Sequence, residues 1–387
     1  MINYSVNSST DKELSKFFGS WIVNDQQFYN RRDALLHGSK NNCPKIRWIW
    51  HDRAWDNYDR KLLGKQSLDE LYKQRAQQLR DKYDYLILSY SGGADSHNVL
   101  MSFINNNIKL DQIFVHMPFK VLNSSIHTPN TVDKSARNLI SEWDYVIEPT
   151  LKELAKTHPD IKIEISDWTE DLSEDLFKKE NISVVTDVWG VGNFGRNTNF
   201  SKLGREQLDN GKSVATIFGA DKPCVGIDHK TNNVFMFFVD RAMLLSAGAT
   251  GVPETFYWSP DLPAVAFEMA YQVILYFKYN PHLQSFMWST NQILDHDTVL
   301  AVNTSISKGI CYSSTWDFGK FQANKPIQAG IGKDRDFFLY ELPEFQRVRD
   351  SWEYHYTGFF DGIDPIYLGA DNQMSKIRSK AHYMGKF

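Results

Sequence analysis

Tyr85-Leu86-Ile87-Leu88-Ser89-Tyr90 runs straight into Ser91-Gly92-Gly93-Ala94-Asp95-Ser96, and that into His97-Asn98-Val99-Leu100-Met101-Ser102-Phe103. The first stretch is an apolar run of strand formers. The middle one is small and polar, and its two adjacent glycines open backbone shapes that a Cβ forbids. Val99, Leu100 and Phe103 recur at helical spacing, and Asp95 or Ser96 is placed to cap the helix that carries them. Strand, tight turn and helix in this order aim backbone N–H groups and a helix N-terminus at one point. Such a point is an anion site, and a phosphate suits it best.

Working outward, further strands and helices alternate. Ser67-Leu68-Asp69-Glu70 is a capping box that opens a helix to about Tyr83, with Leu71, Ala76 and Leu79 on its apolar side. Gln112–Met117 reads as a second strand, parallel to the first because a helix separates them. Asn130-Thr131-Val132-Asp133 opens a helical stretch to about His158, kinked or broken at Pro149, and Ile161–Ile165 alternates like a third strand. A polar helix is expected from Asp167 to Lys179. Ser213–Phe218 and Asn233–Val239 read as two more strands, the latter buried. The repeated strand–helix–strand order predicts an α/β fold with a doubly wound, mainly parallel sheet. Before it, Phe17–Val23 and Arg47–His51 look like short apolar strands. After Gly251, helices are expected from about Pro263 to Phe277 and from Gln284 to Leu294, followed by mixed, aromatic-rich sequence. The expected division is an N-terminal extension (1–80), a nucleotide domain (81–245) and a partly helical C-terminal substrate region (246–387).

The chain of 387 residues is long enough for a large core. Its net charge of −4 excludes a generally basic nucleic-acid coat, although a local basic groove stays open. Cys43, Cys224 and Cys311 stand far apart, which excludes a four-cysteine zinc site and suits a reducing cytoplasm. No signal core opens the sequence and no apolar run reaches membrane-spanning length, so a cytoplasmic protein without a membrane partner is expected.

The sequence Ser-Gly-Gly-x-Asp-Ser after a strand resembles the pyrophosphate loop of the N-type ATP pyrophosphatases. This superfamily, of the adenine nucleotide alpha hydrolase-like fold, includes asparagine synthetase, NAD synthetase, GMP synthetase, argininosuccinate synthetase, and tRNA-modifying and sulfur-transferring relatives. No Gly-Lys-Ser/Thr follows, so it is not a Walker A loop. The resemblance is close over about residues 85–105 and looser to about 240. Beyond that it is positional, as in stand-alone members of the superfamily, some of them carried by bacteriophages.

The resemblance implies ATP and Mg2+ as cofactors and an AMP-forming ligase or amidotransferase of the asparagine-synthetase type. Ser91, Gly92, Gly93, Ala94 and Ser96 would hold pyrophosphate, and Asp95 would help place magnesium. His116 and Met117 would line the adenine pocket; a strand-end histidine and a core methionine are the alternatives. Gly219-Ala220-Asp221-Lys222 stands where the relatives hold magnesium and pyrophosphate, with Asp-Lys in place of their Asp-Glu. Asp221 would bind metal and Lys222 a phosphate, or the four residues form a surface turn. With Ile2 at the start and about 80 residues before the nucleotide domain, no glutaminase is expected. A small-molecule acceptor and a separate nitrogen or sulfur donor then become the partners, with nucleic acid a further option.

Two other readings stay open. A sulfurtransferase or adenylyl-sulfate reductase would need a reactive cysteine, for which Cys224 is the candidate; the same loop also serves enzymes that modify nucleotide or nucleic-acid bases. A nucleotide-binding module without catalysis is the other. A 7-deazaguanine nitrile synthase is disfavoured by the absence of its cysteine-rich zinc cluster. Gly190-Val191-Gly192-Asn193-Phe194-Gly195-Arg196 formally matches GxGxxG but lacks the following helix start and acidic residue, and it reads better as a substrate loop. Arg196, Lys202 and Arg205 beside it would meet a substrate anion or form a solvated face. Lys333, Arg335 and the basic stretch Lys376–Lys380 would meet phosphate, nucleic acid or simply solvent.

Overall fold

The signature stretch forms the centre of a parallel sheet in the computed structural model, which describes residues 12, 15–17, 19–43, 45–117, 119, 142–167, 186–187, 190–191, 201–219, 222–240, 249–289, 296–315, 317 and 377–387. The first elements are β1 (Ser20–Val23), β2 (Gln26–Phe28), α1 (Arg31–Lys40), β3 (Arg47–Ile49), α2 (Asp52–Asp56) and α3 (Leu68–Lys82). Then come β4 (Tyr85–Ser89), α4 (Ala94–Ile104), β5 (Gln112–Met117), α5 (Glu148–Thr157), β6 (Lys162–Asp167), β7 (Thr186–Asp187), β8 (Gly190–Val191), α6 (Lys202–Asp209) and β9 (Val214–Phe218). The last are β10 (Cys224–Asp228), β11 (Asn233–Phe237), β12 (Val252–Thr255), α7 (Ala264–Tyr279), β13 (Trp288–Ser289), α8 (His296–Cys311) and β14 (His382–Lys386).

Five strands form an all-parallel sheet in the order β12-β9-β4-β5-β6. Taken from β6 and numbered by appearance in the chain, this is the order 3-2-1-4-5 of a Rossmann-like α/β fold. Alternation along β4 explains how the strand is covered on both sides. Leu86 and Leu88 join the main core with Val99, Leu100 and Phe103 of α4 and Leu71, Ala76 and Leu79 of α3. Tyr85 and Ile87 face the other way, packing with Phe114, Val214 and the α6 residues Leu203 and Leu208. A strand buried on both faces needs a continuous apolar run, and β4 has one. The capping box holds as expected: the Ser67 side chain accepts from the Glu70 N–H, and Glu70 accepts from the Ser67 N–H.

Several expectations are corrected. Asn233–Val239 does not extend the parallel sheet; β11 pairs antiparallel with β10 and β14 in a separate four-stranded sheet, β13-β10-β11-β14. The reason is local: Asp228 folds over the turn through Lys230 and Thr231, closing a hairpin that the residues Asn233–Phe237 re-enter directly. β12 lies beyond residue 245 yet pairs with β9, so the parallel sheet takes its edge strand from the segment assigned to the C-terminal region. Buried Arg75 of α3 fixes that strand by donating to the Glu254 carboxylate and the Thr255 carbonyl. Pro149 stands in the first turn of α5, directly after a π-helical turn at Trp143–Ile147, so the interruption expected at Pro149 takes the form of a change of helix type and not a stop. The helix expected over Gln284–Leu294 is, in its described part, the end of a 3-10 turn followed by β13. Residues 130–141 and 168–179 lie outside the described residues.

The described part of the basic stretch is a built-in strap and not a free face. Ile377 and Ser379 are buried. Arg378 bridges to Arg47 on one side and Val239 on the other, and Lys380 pairs with Asp56 at 2.8 Å. Among the described residues no helix is long and apolar enough to cross a membrane.

Candidate functional site

The order of the sheet reverses between β4 and β9, and ligands of open α/β sheets bind in the crevice at such a point, beyond the strands' carboxyl ends. Both sequence-predicted segments meet there. The turn Ser91–Gly93 leaves β4, and Gly219 leaves β9. A Cβ on Gly219 would lie 2.9 Å from the Asp95 carbonyl carbon and from Ser96 Cα and N, so β9 ends in close contact with the first turn of α4.

The turn is braced by its own side chains. Ser96 Oγ accepts from the Ser91 N–H at 3.3 Å and donates to the Gly93 carbonyl at 3.1 Å. Gly92 has φ +70°, and a Cβ there would stand 2.5 Å from Ile147 Cγ1, so only glycine fits. The helix begins two or three residues earlier than expected. Gly93, in extended conformation, is the N-cap and offers no side-chain acceptor; Asp95 and Ser96 sit inside the first turn. The cap assigned to Asp95 or Ser96 is therefore corrected. The first-turn N–H groups of a helix have no intrahelical acceptor, and here no cap side chain takes one.

Asp95 turns instead toward residues from far along the chain. Its Oδ1 accepts from the Lys222 ammonium in a short ion pair and from the Tyr312 hydroxyl at 2.7 Å. Its main-chain carbonyl accepts from the Tyr257 hydroxyl at 2.8 Å. Tyr257 and Tyr312 are fully buried, Lys222 is 7% exposed, and the Lys222 ammonium lies 5.4 Å over the Tyr312 ring. Burial pushes both phenols well above their ordinary value, so the hydroxyls remain donors. Burial alone would raise the Asp95 carboxyl, but Lys222, Lys308 and the Tyr312 hydroxyl outweigh it and hold the carboxyl below its usual range. Asn98, one turn along α4, donates to Tyr257 and accepts from Thr315.

The sequence-predicted residues divide by position. Ser91, Gly92, Gly93, Ala94, Asp95, Ser96, Gly219 and Lys222 converge at the switch point. His116 and Met117 are adjacent at the end of β5 and project to opposite faces of the sheet. The His116 ring is 5.9 Å from Phe114, while Met117 lies in the main core. Lys202 and Arg205 are exposed on α6. Asp221, Arg196, Lys333, Arg335 and Lys376 lie outside the described residues. Of the GxGxxG stretch, Gly190 and Val191 are described, paired with Asp187 and Thr186.

Among the described residues no group of three or more His, Cys, Asp or Glu side chains is arranged to hold a metal. Asp95 is the described carboxylate whose contacts place it at the crevice, and Glu142 Cβ stands 3.3 Å from where a Cβ on Gly92 would lie. A single carboxylate fits magnesium bound chiefly through phosphates and water, the usual manner at nucleotide sites. A cleft of about 290 Å³ lies nearby, lined by Asp69, Lys73, Asn98, Ser102 and Thr315 among others, but no residue of the Ser91–Ser96 turn lines it. The chemistry at the switch point outranks that hollow as the candidate site. Tyr257, Tyr312 and Asn98 are site residues that the sequence does not reveal, because nothing local ties Tyr257 or Tyr312 to Asp95. No protein-family model matches the chain, and no curated protein matches it.

Proposed function

We propose that the chain binds ATP at the switch point and is an AMP-forming adenylating enzyme of the N-type ATP pyrophosphatase kind, ligase-like in its chemistry. The observation that carries this reading is the uncapped, glycine-turned N-terminus of α4, with the Lys222 ammonium beside it across the strand order reversal. Both the nucleophile and the leaving group in such a reaction are anionic, so the barrier is electrostatic.

An oxygen of the acceptor, such as a carboxylate, attacks the α-phosphorus. The bond from that phosphorus to the β-bridging oxygen breaks, and pyrophosphate leaves with the electron pair. A nitrogen nucleophile then attacks the activated carbon and AMP departs. The N–H groups at Gly92–Asp95 and the α4 dipole receive the pyrophosphate, and Ser91 and Ser96 hold the turn in shape. Lys222 exchanges part of its interaction with Asp95 for a phosphate oxygen. Asp95, with Asp221, would hold magnesium, which supplies charge neutralisation at the departing phosphates. A carboxylate nucleophile is already ionised at neutral pH, so the adenylation step requires no general base; the proton that the nitrogen loses in the second step passes to the departing AMP or to water.

Sulfur transfer has less support. Cys43 and Cys311 are buried, and burial pushes the Cys311 thiol up to about 12, which suppresses the thiolate such chemistry uses. Cys224 is the partly exposed one.

The test is product analysis with α-labelled ATP and magnesium, with and without a metabolite pool and ammonia. AMP and pyrophosphate that depend on the pool are expected. ADP and phosphate would overturn the chemistry. ATP binding without turnover under every condition would favour the non-catalytic module.

A further inference from the structure

An aspartate in the first turn of a helix ordinarily finds its partners at home. The N–H groups there lack acceptors, the helix dipole favours a negative charge, and a carboxylate two residues past the cap is within reach. Asp95 has this position, and Gly93 leaves the cap unfilled. Yet among the described residues the Asp95 carboxylate bonds to Lys222 and Tyr312 and to no N–H of its own helix. If it did fold back, it would occupy the anion site with its own charge.

Two side chains keep it away, and they differ in kind. Lys222 is a cation that incoming phosphate also attracts, so its hold on Asp95 weakens when the nucleotide arrives. Tyr312 is neutral, fully buried and fixed by packing: its ring lies 5.5 Å from Tyr257, and it follows directly on the end of α8. Its hydroxyl has no comparable attraction to leave for. Tyr257 supplies an internal contrast. It is equally buried and equally close, but it bonds to the Asp95 main chain and leaves the carboxylate alone.

We propose that Tyr312 is a positioning residue for the nucleotide site: its hydroxyl holds the Asp95 carboxylate away from the uncapped first turn of α4, keeping that turn open to the phosphates after Lys222 has turned to them. This rests on the functional reading above. It gives the C-terminal part of the chain a defined task in nucleotide binding through one hydrogen bond.

The test is calorimetric binding of ATP and of inorganic pyrophosphate to the full chain, with no turnover required. Tyr312→Phe keeps the ring and removes the bond to an ionised acceptor; affinity for both probes is expected to fall about tenfold. In an Asp95→Ala background there is no carboxylate to restrain, and the same substitution is expected to change affinity less than twofold. Tyr257→Phe serves as the control for loss of a buried hydroxyl, with thermal unfolding followed in all variants. Its affinity loss is expected to persist in the Asp95→Ala background, because its partner is the main chain. Equal affinity of wild type and Tyr312→Phe would overturn the positioning role while leaving ATP binding intact. So would a tenfold loss that survives in the Asp95→Ala background, since the effect would then be structural. A wild-type chain that binds neither probe would overturn the functional reading and the inference with it.

Discussion

Replacing Gly219 by alanine tests the switch point with one methyl group. Gly219 does not need a left-handed backbone, so the substitution carries no conformational penalty of that sort. The added carbon would lie 2.9 Å from three main-chain atoms of Asp95 and Ser96. Comfortable carbon contacts are about 3.5–4.0 Å, so β9 and the first turn of α4 must part by at least about 0.6 Å. No flexible side chain can yield in their place. Overpacking of this kind costs about 1–3 kcal/mol, read as a lower urea midpoint with an unchanged slope. The same displacement moves the N–H groups of the turn relative to Lys222. A mispositioning approaching 1 Å costs up to about 100-fold at a pre-organised site, and ATP affinity measured by calorimetry is expected to fall between about 10- and 100-fold. Gly211→Ala is the matched control. Its φ is +80° with nothing within 4 Å of a Cβ, so it loses about 1–2 kcal/mol from backbone strain and keeps its ATP affinity. Gly219→Ala protein with wild-type midpoint and affinity would refute the close packing at the crevice; lowered stability with wild-type affinity would refute the placement of the nucleotide there.

Other outcomes follow from the same geometry. Gly92→Ala combines a left-handed backbone with a contact at 2.5 Å to Ile147 and is expected to lose about 2–4 kcal/mol of stability in urea unfolding. Lys222→Met removes the cation opposite the turn and should weaken ATP binding at least tenfold at low salt, with a shallower dependence on ionic strength than the wild type shows. Glu254→Gln leaves fully buried Arg75 without its carboxylate and should cost about 3–5 kcal/mol. Burial alone would raise the Glu254 carboxyl, but Arg75, Tyr83 and Lys82 hold it below the ordinary glutamate range. Its stabilising contribution is therefore complete above that range and is lost as pH falls through the lowered value. Urea midpoints measured between pH 7 and pH 3 should decline less steeply in Glu254→Gln than in the wild type.

The parts of the fold legible in the sequence were those whose stability is local. A continuous apolar run followed by a glycine turn identifies β4 and α4, and reciprocal hydrogen bonds across three residues identify the start of α3. β5, β6 and β9 follow from apolar or alternating runs. What was not legible depends on partners remote in the chain. Tyr312 meets Asp95 across a sequence separation of 217 residues, and no periodicity encodes that. β11 has the composition of a buried parallel strand, and its sheet is decided by the hairpin with β10 and by β14. The cap of α4 was misplaced because Asp95 and Ser96 are the better capping residues by type, whereas two distant side chains and the Gly93 carbonyl claim them. No helix is expected at α8, which lies in the stretch read as mixed and aromatic-rich. At the candidate site the loop could be read in advance, but the tyrosines behind it could not.

The strap at residues 377–387 has a consequence for how the molecule is made. Its main chain bonds to Trp48 and to Phe238 and Asp240, and Arg60 reaches the Tyr383 carbonyl across 323 residues of sequence. The small N-terminal sheet and the β10–β11 hairpin therefore share a seam supplied by a segment far downstream of both. Contacts this distant carry the full entropy of loop closure before they return any energy. During translation the parallel sheet has all five of its strands by Thr255, while the layer beside it waits for the closing segment. The assembled molecule thus has a parallel sheet complete by Thr255 and a second layer that closes only when the segment 377–387 joins it. Exposed edges on the waiting hairpin are the point at which an interrupted chain would aggregate.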